Sequence, residues 1–210
     1  MATVVEVPPV EVEVAEEGDV ESLPLHKISV REFHAMGEAG VFGPKPRVEL
    51  IGGHLVKKMT KKRPHEISKS EIHNEFTRGL PRTWTACCES PTELSNFDLP
   101  EPDVMIIRGR NKDYPRDAPG PAAVALVVEV ADTSLRVDRG PKLRRYAAAC
   151  IPVYWIVDLS GAKIEVRTDP TGKGKVALYR TVRTFFAGDE IPVELGGEVV
   201  LRLAVADLLP

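Results

Sequence analysis

An apolar run at residues 123–130, AVALVVEV, constrains the fold more than any other feature of the sequence. Because polar residues do not alternate along it, we expect a strand that is buried on both faces and lies in the middle of a sheet. Glu129 stands near the end of this run. A buried carboxylate is costly unless it is paired, protonated or bound to a metal, so Glu129 requires an explanation.

Other segments predict the rest of a mixed sheet. PDVMII at 102–107 and VYWIVD at 153–158 have the character of core strands. The run RVELIGGHLVKKM predicts a hairpin, because Gly52 and Gly53 supply the positive φ angles of a type I′ turn. Three later segments are interpreted as antiparallel strands: KIEVRT, VALYRTV and VVLRL. The fold class is therefore α/β.

Three segments carry helical signals. Ser29 is a candidate N-cap, and Glu32 three residues later completes a capping box. Residues 65–80 place Ile72, Phe76 and Leu80 on one apolar stripe. Charged residues of this helix are expected to face water, namely Lys69, Glu75 and Arg78. A third helix is predicted from Asp138, with Pro141 in its first turn and four residues on its apolar face: Leu143, Tyr146, Ala147 and Cys150.

Length and composition indicate one globular domain. The chain has 210 residues, of which 43% are hydrophobic and 28% charged, within the ordinary globular range. Residues 1–22 are interpreted as an acidic leader, disordered or loosely docked, and residues 23–210 as the domain. No apolar run is long enough to span a bilayer, and no signal peptide is recognisable, so we expect a cytoplasmic protein without membrane contact. The three cysteines fit neither a disulfide framework nor a zinc ribbon.

The charge distribution is uneven. The net charge is −3, but residues 1–25 contain seven acids and no Lys or Arg. The remaining 24 acids and 28 bases leave the body of the protein at +4, which favours a phosphate-bearing partner. The leader is interpreted as either a solubilising tail or a regulatory segment that shields this surface.

Two carboxylates are candidates for a metal site. Asp103 begins the strand PDVMII, and Glu129 lies near the end of the buried strand. If these strands are neighbours, both carboxylates can converge on one cation, and ligation by oxygen alone selects Mg²⁺ or Mn²⁺ over zinc. The alternative for Glu129 is a salt bridge to Arg136 or Arg139.

Lysines nearby can complete such a site. Lys142 can reach it if the preceding loop folds back, so that its ammonium orients a water or neutralises transition-state charge. The alternative is an exposed surface lysine. Five bases stand in seven positions beside the hairpin and predict either a phosphate-tracking edge or a solvated hairpin end: Lys57, Lys58, Lys61, Lys62 and Arg63.

The order of these motifs resembles the Uma2 family of restriction-endonuclease-like proteins. The resemblance runs from about Leu25 to the C-terminus and includes VELIGGHLV, PDVMII and VALVVEVADTSLRVDRGPKLRRYAAACIPVYWIVD. It implies a restriction-endonuclease-like mixed β-sheet flanked by helices, with a divalent metal at the strand ends. Asp103 and Glu129 would be the acidic residues of a PD-(D/E)XK motif.

The resemblance also assigns the lysine. An E-x-K arrangement needs lysine at position 131, where this chain has Ala131. In the Uma2 pattern the lysine comes from the following helix, which implies Lys142. Glu49 matches the family's hairpin motif and is either a further ligand of metal or water or a strand glutamate paired with a lysine. His65 matches the histidine that opens the next helix and is either near the site or a capping or packing residue.

The resemblance implies a Mg²⁺-dependent endonuclease acting on DNA. Asp103, Glu129 and the carbonyl of Val130 would hold the metal, Mg²⁺ or Mn²⁺, while Lys142 assists attack by water. A two-fold homodimer is expected, since nucleases that cut both strands are often dimers. The alternatives are a catalytically silent DNA-binding or scaffold protein with a nuclease fold, and an interaction protein that uses its acidic leader.

Overall fold

The computed structural model describes residues 24–44, 47–114 and 118–210. The predicted leader at residues 1–22 lies outside the described residues. Within the described ranges, no helix has the length and apolar character needed to cross a membrane. All three cysteines lie in these ranges and are free thiols.

Two helices and a hairpin form the first part of the fold: α1 (Val30–Glu38), β1 (Val48–Ile51), β2 (His54–Lys57) and α2 (Arg63–Gly79). The predicted capping box is present, because Ser29 Oγ accepts from the Glu32 N–H and the Glu32 carboxylate accepts from the Ser29 N–H. The predicted hairpin is also present. Gly52 and Gly53 have φ angles of 63° and 82°, as a type I′ turn requires.

Helix α2 buries the predicted stripe but also a lysine. Ile72 and Phe76 are fully buried against the sheet. Lys69, expected to face water, is only 6% exposed, so that prediction is wrong. Its ammonium lies 2.7 Å from a carboxylate oxygen of Glu66 and 3.0 Å from one of Glu89, and these ion pairs offset the cost of burying the charge.

The main sheet has six strands in chain order: β3 (Trp84–Cys88), β4 (Val104–Arg108), β5 (Val124–Ala131), β6 (Val153–Asp158), β7 (Lys163–Thr171) and β8 (Leu178–Phe186). Neighbours are antiparallel except β5 and β6, which are parallel. All eight residues of β5 are buried, as its apolar run predicts. The mixed sheet flanked by helices confirms the predicted fold class.

A second hairpin, β9 (Glu190–Leu195) and β10 (Glu198–Ala204), follows the sheet and turns at Gly196 and Gly197. It packs with α2 on one face of the sheet, around Trp155. On the opposite face, Tyr154 packs against Tyr146 with ring centroids 5.0 Å apart. The sheet is therefore buried between two layers.

The segment between β5 and β6 is helical from Leu135, three residues before the predicted start. It consists of α3 (Leu135–Val137), a π-helical turn (Asp138–Lys142) and α4 (Leu143–Ala148). Pro141 lies inside the π-helical turn rather than in a first α-helical turn. Proline has no N–H to donate to the preceding turn, and the wider π geometry accommodates this loss. Cys150 follows the helix with φ 58° and is exposed, so its predicted place on the buried face is wrong.

Candidate active site

The start of β4 and the end of β5 meet at one edge of the sheet, because these strands are antiparallel neighbours. Asp103 directly precedes β4, and Glu129 is near the end of β5. Each stands two residues from a side chain, Met105 or Val127, that packs on the face covered by α4, so both carboxylates lie on that face. The two carboxylates therefore line one cavity, of about 130 Å³, at this edge.

Asp103 is buried and has three partners. Its Oδ2 accepts from the Val130 N–H at 2.8 Å and lies 3.1 Å from Nε2 of His65. Its Oδ1 lies 2.7 Å from Nζ of Lys61. Burial raises the pKa of Asp103, but the hydrogen bond and charge of His65, with the charge of Lys61, outweigh it and hold the pKa well below its usual range. Asp103 is thus an anion in the folded protein.

Glu129 is equally buried, with a different set of partners. Its Oε1 accepts from Nζ of Lys142 at 3.0 Å and from the hydroxyl of Tyr146 at 2.7 Å. Burial raises the pKa of Glu129 to about 8, opposed by the charge of Lys142 and reinforced by the neighbouring Asp138 and Asp103. A carboxylate in this state gains a large stabilisation from any added positive charge.

Lys142 lies among carboxylates and is 8% exposed, which excludes the interpretation as a surface lysine. Its ammonium contacts Glu129 and lies 3.3 Å from Oε1 of Glu49. Burial lowers the pKa of Lys142, but the charges of Glu129, Glu49 and Asp138 together raise it above its usual range. The salt-bridge partner of Glu129 is thus Lys142, whereas Arg139 pairs with other carboxylates.

The first hairpin carries Glu49 into the site. Its Oε2 accepts from the Glu101 N–H at 3.2 Å, and its Oε1 faces Lys142. The hairpin is held in place by Asp98, whose Oδ1 accepts from the Gly52 N–H at 2.6 Å and lies 3.2 Å from Nε of Arg145 on α4. Glu49 is therefore both close to the site and paired with its lysine.

Residues 58–62, which we call the strap, cross the cavity between β2 and α2. They contain three of the five bases predicted to track phosphates. Each of the three faces an acidic residue: Lys58 faces Glu101 at 2.6 Å, Lys61 faces the buried Asp103 and also Glu89, and Lys62 faces Asp132 at 3.7 Å. Lys58 and Lys61 are therefore partly buried and paired, whereas Lys57, Lys62 and Arg63 are exposed, as a solvated hairpin end predicts.

The oxygen atoms at this edge match the chemistry of a hard divalent cation. Val130 donates its N–H to Asp103. Because the N–H and C=O of a strand residue point to the same side, the Val130 carbonyl also points towards Asp103. The next carbonyl, of Ala131, points to the other side and accepts from the Leu159 N–H at 3.1 Å. As the side chains stand, the described residues include no group of three His, Cys, Asp or Glu arranged to hold a metal. The ammonium groups of Lys61 and Lys142 neutralise these carboxylates instead.

Two site residues were not predicted as such. The sequence predicts Lys61 only as part of the basic run, and Tyr146 only as part of an apolar helix face. A signal for Tyr146 exists, because it stands four residues after Lys142, a spacing that puts both on one helix face. The contact between Lys61 and Asp103 joins residues 42 apart in sequence and has no local signal.

Comparison with known proteins agrees with the fold and with the family resemblance of the sequence. The sequence profile of the Uma2 family, described as "Putative restriction endonuclease", matches residues 30–206. Among solved structures, a "putative nuclease belonging to DUF820" from Anabaena variabilis superposes with a TM-score of 0.64 at 15% identity. The alignment covers 86% of this chain and 97% of that one. No curated protein matches the chain significantly.

Proposed function

The chain belongs to the Uma2 family, and from this premise we propose that it is a Mg²⁺-dependent endonuclease that hydrolyses phosphodiester bonds of DNA. One observation carries the proposal. Two buried carboxylates, Asp103 and Glu129, line one cavity with a buried lysine, Lys142, in contact with the second of them. A purely structural cluster has no need of a cavity beside it.

The cation would be held by Asp103, Glu129 and the carbonyl of Val130, with Mn²⁺ as a substitute for Mg²⁺. When bound, it supplies a Lewis acid and lowers the pKa of a coordinated water, so that the water can attack phosphorus at neutral pH. His65 and the Val130 N–H hold the Asp103 carboxylate in a fixed orientation.

Lys142 would act on the phosphate. Its ammonium stays charged because of the surrounding carboxylates, and it lies on a helix behind the strand end. Such a fixed cation stabilises charge on the non-bridging oxygens of the transition state or orients the attacking water. Tyr146 and Glu49 position the Lys142 ammonium. Tyr146 donates a hydrogen bond to Glu129, the carboxylate that also binds Lys142, and Glu49 faces the ammonium directly.

Plasmid cleavage in Mg²⁺ or Mn²⁺ tests this proposal. Asp103→Asn removes the anionic ligand but keeps the shape of the side chain, and we expect cleavage to fall by at least about 100-fold. A matched control is Glu165→Gln, which alters a buried carboxylate of β7 outside the cavity and should leave cleavage within a few-fold. Cleavage by Asp103→Asn at the wild-type rate would show that Asp103 is not a ligand.

The ion pairs of both carboxylates with lysines favour one alternative, a catalytically silent nuclease fold that binds DNA or acts as a scaffold. Calorimetric titration with Mn²⁺ separates the two. The endonuclease proposal expects binding that is lost in Asp103→Asn and Glu129→Gln. Titrations without any binding heat, combined with intact DNA binding, would support the silent protein.

A further inference from the structure

The two oxygens of Asp103 differ in their remaining capacity to bind a cation. Oδ2 is already occupied by two partners, the Val130 N–H and His65. In the part of the chain that the structure describes, Oδ1 contacts only the ammonium of Lys61, at 2.7 Å. Oδ1 therefore has more remaining capacity for an incoming cation, at the place where Lys61 already puts a positive charge.

A divalent cation and the Lys61 ammonium oppose each other at this oxygen. Mg²⁺ requires about 2.1 Å to each oxygen ligand and a nearly octahedral arrangement around it. An ammonium at hydrogen-bond distance from the same oxygen obstructs this arrangement and repels the added charge. Lys61 and a divalent cation are thus competitors for Asp103.

We propose that, in the metal-free protein, the Lys61 ammonium occupies the position of the cation on Asp103. Metal binding then releases the Lys61 side chain, which contacts a phosphate of the bound DNA. The inference rests on the proposed function and names a further substrate-binding residue for it. Lys61 would be a phosphate ligand in the metal-loaded protein and an internal counter-ion without metal.

The surroundings allow Lys61 to leave. It lies on the strap, outside any helix or strand, and its side chain is 28% exposed, against 10% for Lys142 on its helix. Its second partner, Glu89, keeps an ion pair with Lys69 at 3.0 Å. Asp103 keeps its two Oδ2 partners and gains the metal. Release of Lys61 therefore leaves no buried charge unpaired.

The position of the strap explains where the released ammonium would go. Lys58 and Lys62 flank Lys61 at the mouth of the cavity, each facing an acidic residue at its rim. A phosphate that approaches the cavity passes this row of bases. Of the three, Lys61 is the one whose present partner is a proposed metal ligand, so its freedom depends on the metal.

Calorimetric titration with Mn²⁺ tests the competition. Lys61→Met removes the internal cation, and we expect Mn²⁺ to bind about tenfold more tightly. This factor corresponds to a contact between Lys61 and Asp103 that is present in about nine-tenths of the metal-free molecules. Lys69→Met is the matched control, because it removes a buried ammonium of the same network that does not touch Asp103. Its Mn²⁺ affinity should change much less.

Binding of a labelled DNA duplex, measured in Ca²⁺ at several salt concentrations, tests the phosphate contact. Lys61→Met should bind DNA several-fold more weakly, and the dependence of its affinity on salt should fall by about one phosphate contact. Tighter metal binding together with weaker DNA binding is a signature that general destabilisation does not produce, because destabilisation weakens both.

The outcomes distinguish a failure of the Lys61 proposal from a failure of the endonuclease proposal. Wild-type binding of Mn²⁺ that Lys61→Met leaves unchanged or weakens would overturn the competition and leave the endonuclease proposal intact. Absence of Mn²⁺ binding in both proteins would overturn both proposals. Tighter Mn²⁺ binding with unchanged DNA affinity would overturn the phosphate contact. Lys61→Gln, which keeps a hydrogen-bond donor for Asp103, repeats the titration if thermal unfolding shows that Lys61→Met is not folded.

Discussion

Two groups of buried carboxylates lie at the edge where β5 and β6 end, and their basic partners differ. The first, the cavity cluster, consists of Asp103, Glu129, Glu49 and Lys142. The second, the arginine cluster, consists of Asp158, Glu165, Arg139 and Arg167. The cavity cluster relies on lysines and lines an open space, whereas the arginine cluster fills its space with guanidinium groups.

The carboxylates respond differently to these surroundings. Burial raises the pKa of Glu165, but its hydrogen bonds with Arg139 and Arg167 outweigh burial and lower it. In the cavity cluster, burial dominates and raises the pKa of Glu129 to about 8, even with Lys142 beside it. The arginine cluster thus satisfies its charges internally, while Glu129 in the cavity cluster retains a demand for positive charge. We interpret that demand as the sign of a functional site.

The largest expected difference between the clusters concerns catalysis. Lys142→Met should reduce plasmid cleavage by about 10²–10⁴-fold, the usual contribution of a group that assists proton transfer or stabilises charge. Arg139→Met, the matched change in the arginine cluster, should reduce cleavage only a few-fold and mainly lower the melting temperature. Equal losses of cleavage in the two variants would remove the functional distinction between the clusters.

The loss of folding stability should be larger for a change in the arginine cluster than for one in the cavity cluster. Glu165→Gln deprives Arg139 and Arg167 of a shared carboxylate, and we expect the free energy of unfolding at pH 7 to fall by about 2 kcal/mol. Glu129→Gln should cost less, because the buried Glu129 is itself held at a raised pKa. Urea unfolding at pH 7 measures both. A larger loss in Glu129→Gln would contradict the comparison.

The pH dependence of stability should separate them as well. Glu165 has a folded pKa below 4.5, so its contribution is present above pH 4.5 and is lost as the pH falls below it. Glu129 has a raised folded pKa, so its contribution is present below pH 4.5 and is lost as the pH rises towards about 8. In EDTA, Glu165→Gln should flatten the acid limb of the stability profile and Glu129→Gln the limb between pH 4.5 and 8. An upper limb that Glu129→Gln leaves unchanged would show that the pKa of Glu129 is not raised.

The smallest effect is expected for Tyr146, which joins the cavity cluster by one hydrogen bond to Glu129. Tyr146→Phe removes the hydroxyl alone and should lower the free energy of unfolding by about 1 kcal/mol. Cleavage should fall several-fold through poorer positioning of Glu129, and the cleavage rate should change more than DNA affinity. Weaker DNA binding with an unchanged rate would assign Tyr146 a different role.

The central strands were predictable because burial on both faces leaves a simple pattern. The apolar run of β5 and the similar run of β4 indicated two core strands, and their adjacency in the sheet brings Asp103 close to Glu129. Strand β3 was not predicted, since four of its five residues are not fully buried and show no alternation. In strand β9 buried residues alternate with more exposed ones, as expected of a strand, but Pro192 within it weakens a strand prediction.

The partners of the carboxylates were harder to predict, because they depend on tertiary packing. Lys61 and Lys69, from two separate segments, both pair with Glu89 from a third. Their burial results from pairing, and a sequence pattern that treats charged residues as exposed predicts the opposite for Lys69. The family resemblance supplied Lys142 and Glu49, which neither periodicity nor composition selects from the other charged residues.

A crystal structure of the protein soaked in Mn²⁺, with anomalous scattering used to locate the metal, tests the central claim most directly. We expect an anomalous peak within about 2.5 Å of Asp103 Oδ1 and a Glu129 oxygen, with the Lys61 ammonium withdrawn from Asp103. A saturating soak that shows no peak at this edge, with Lys61 still on Asp103, would contradict the metal-dependent site.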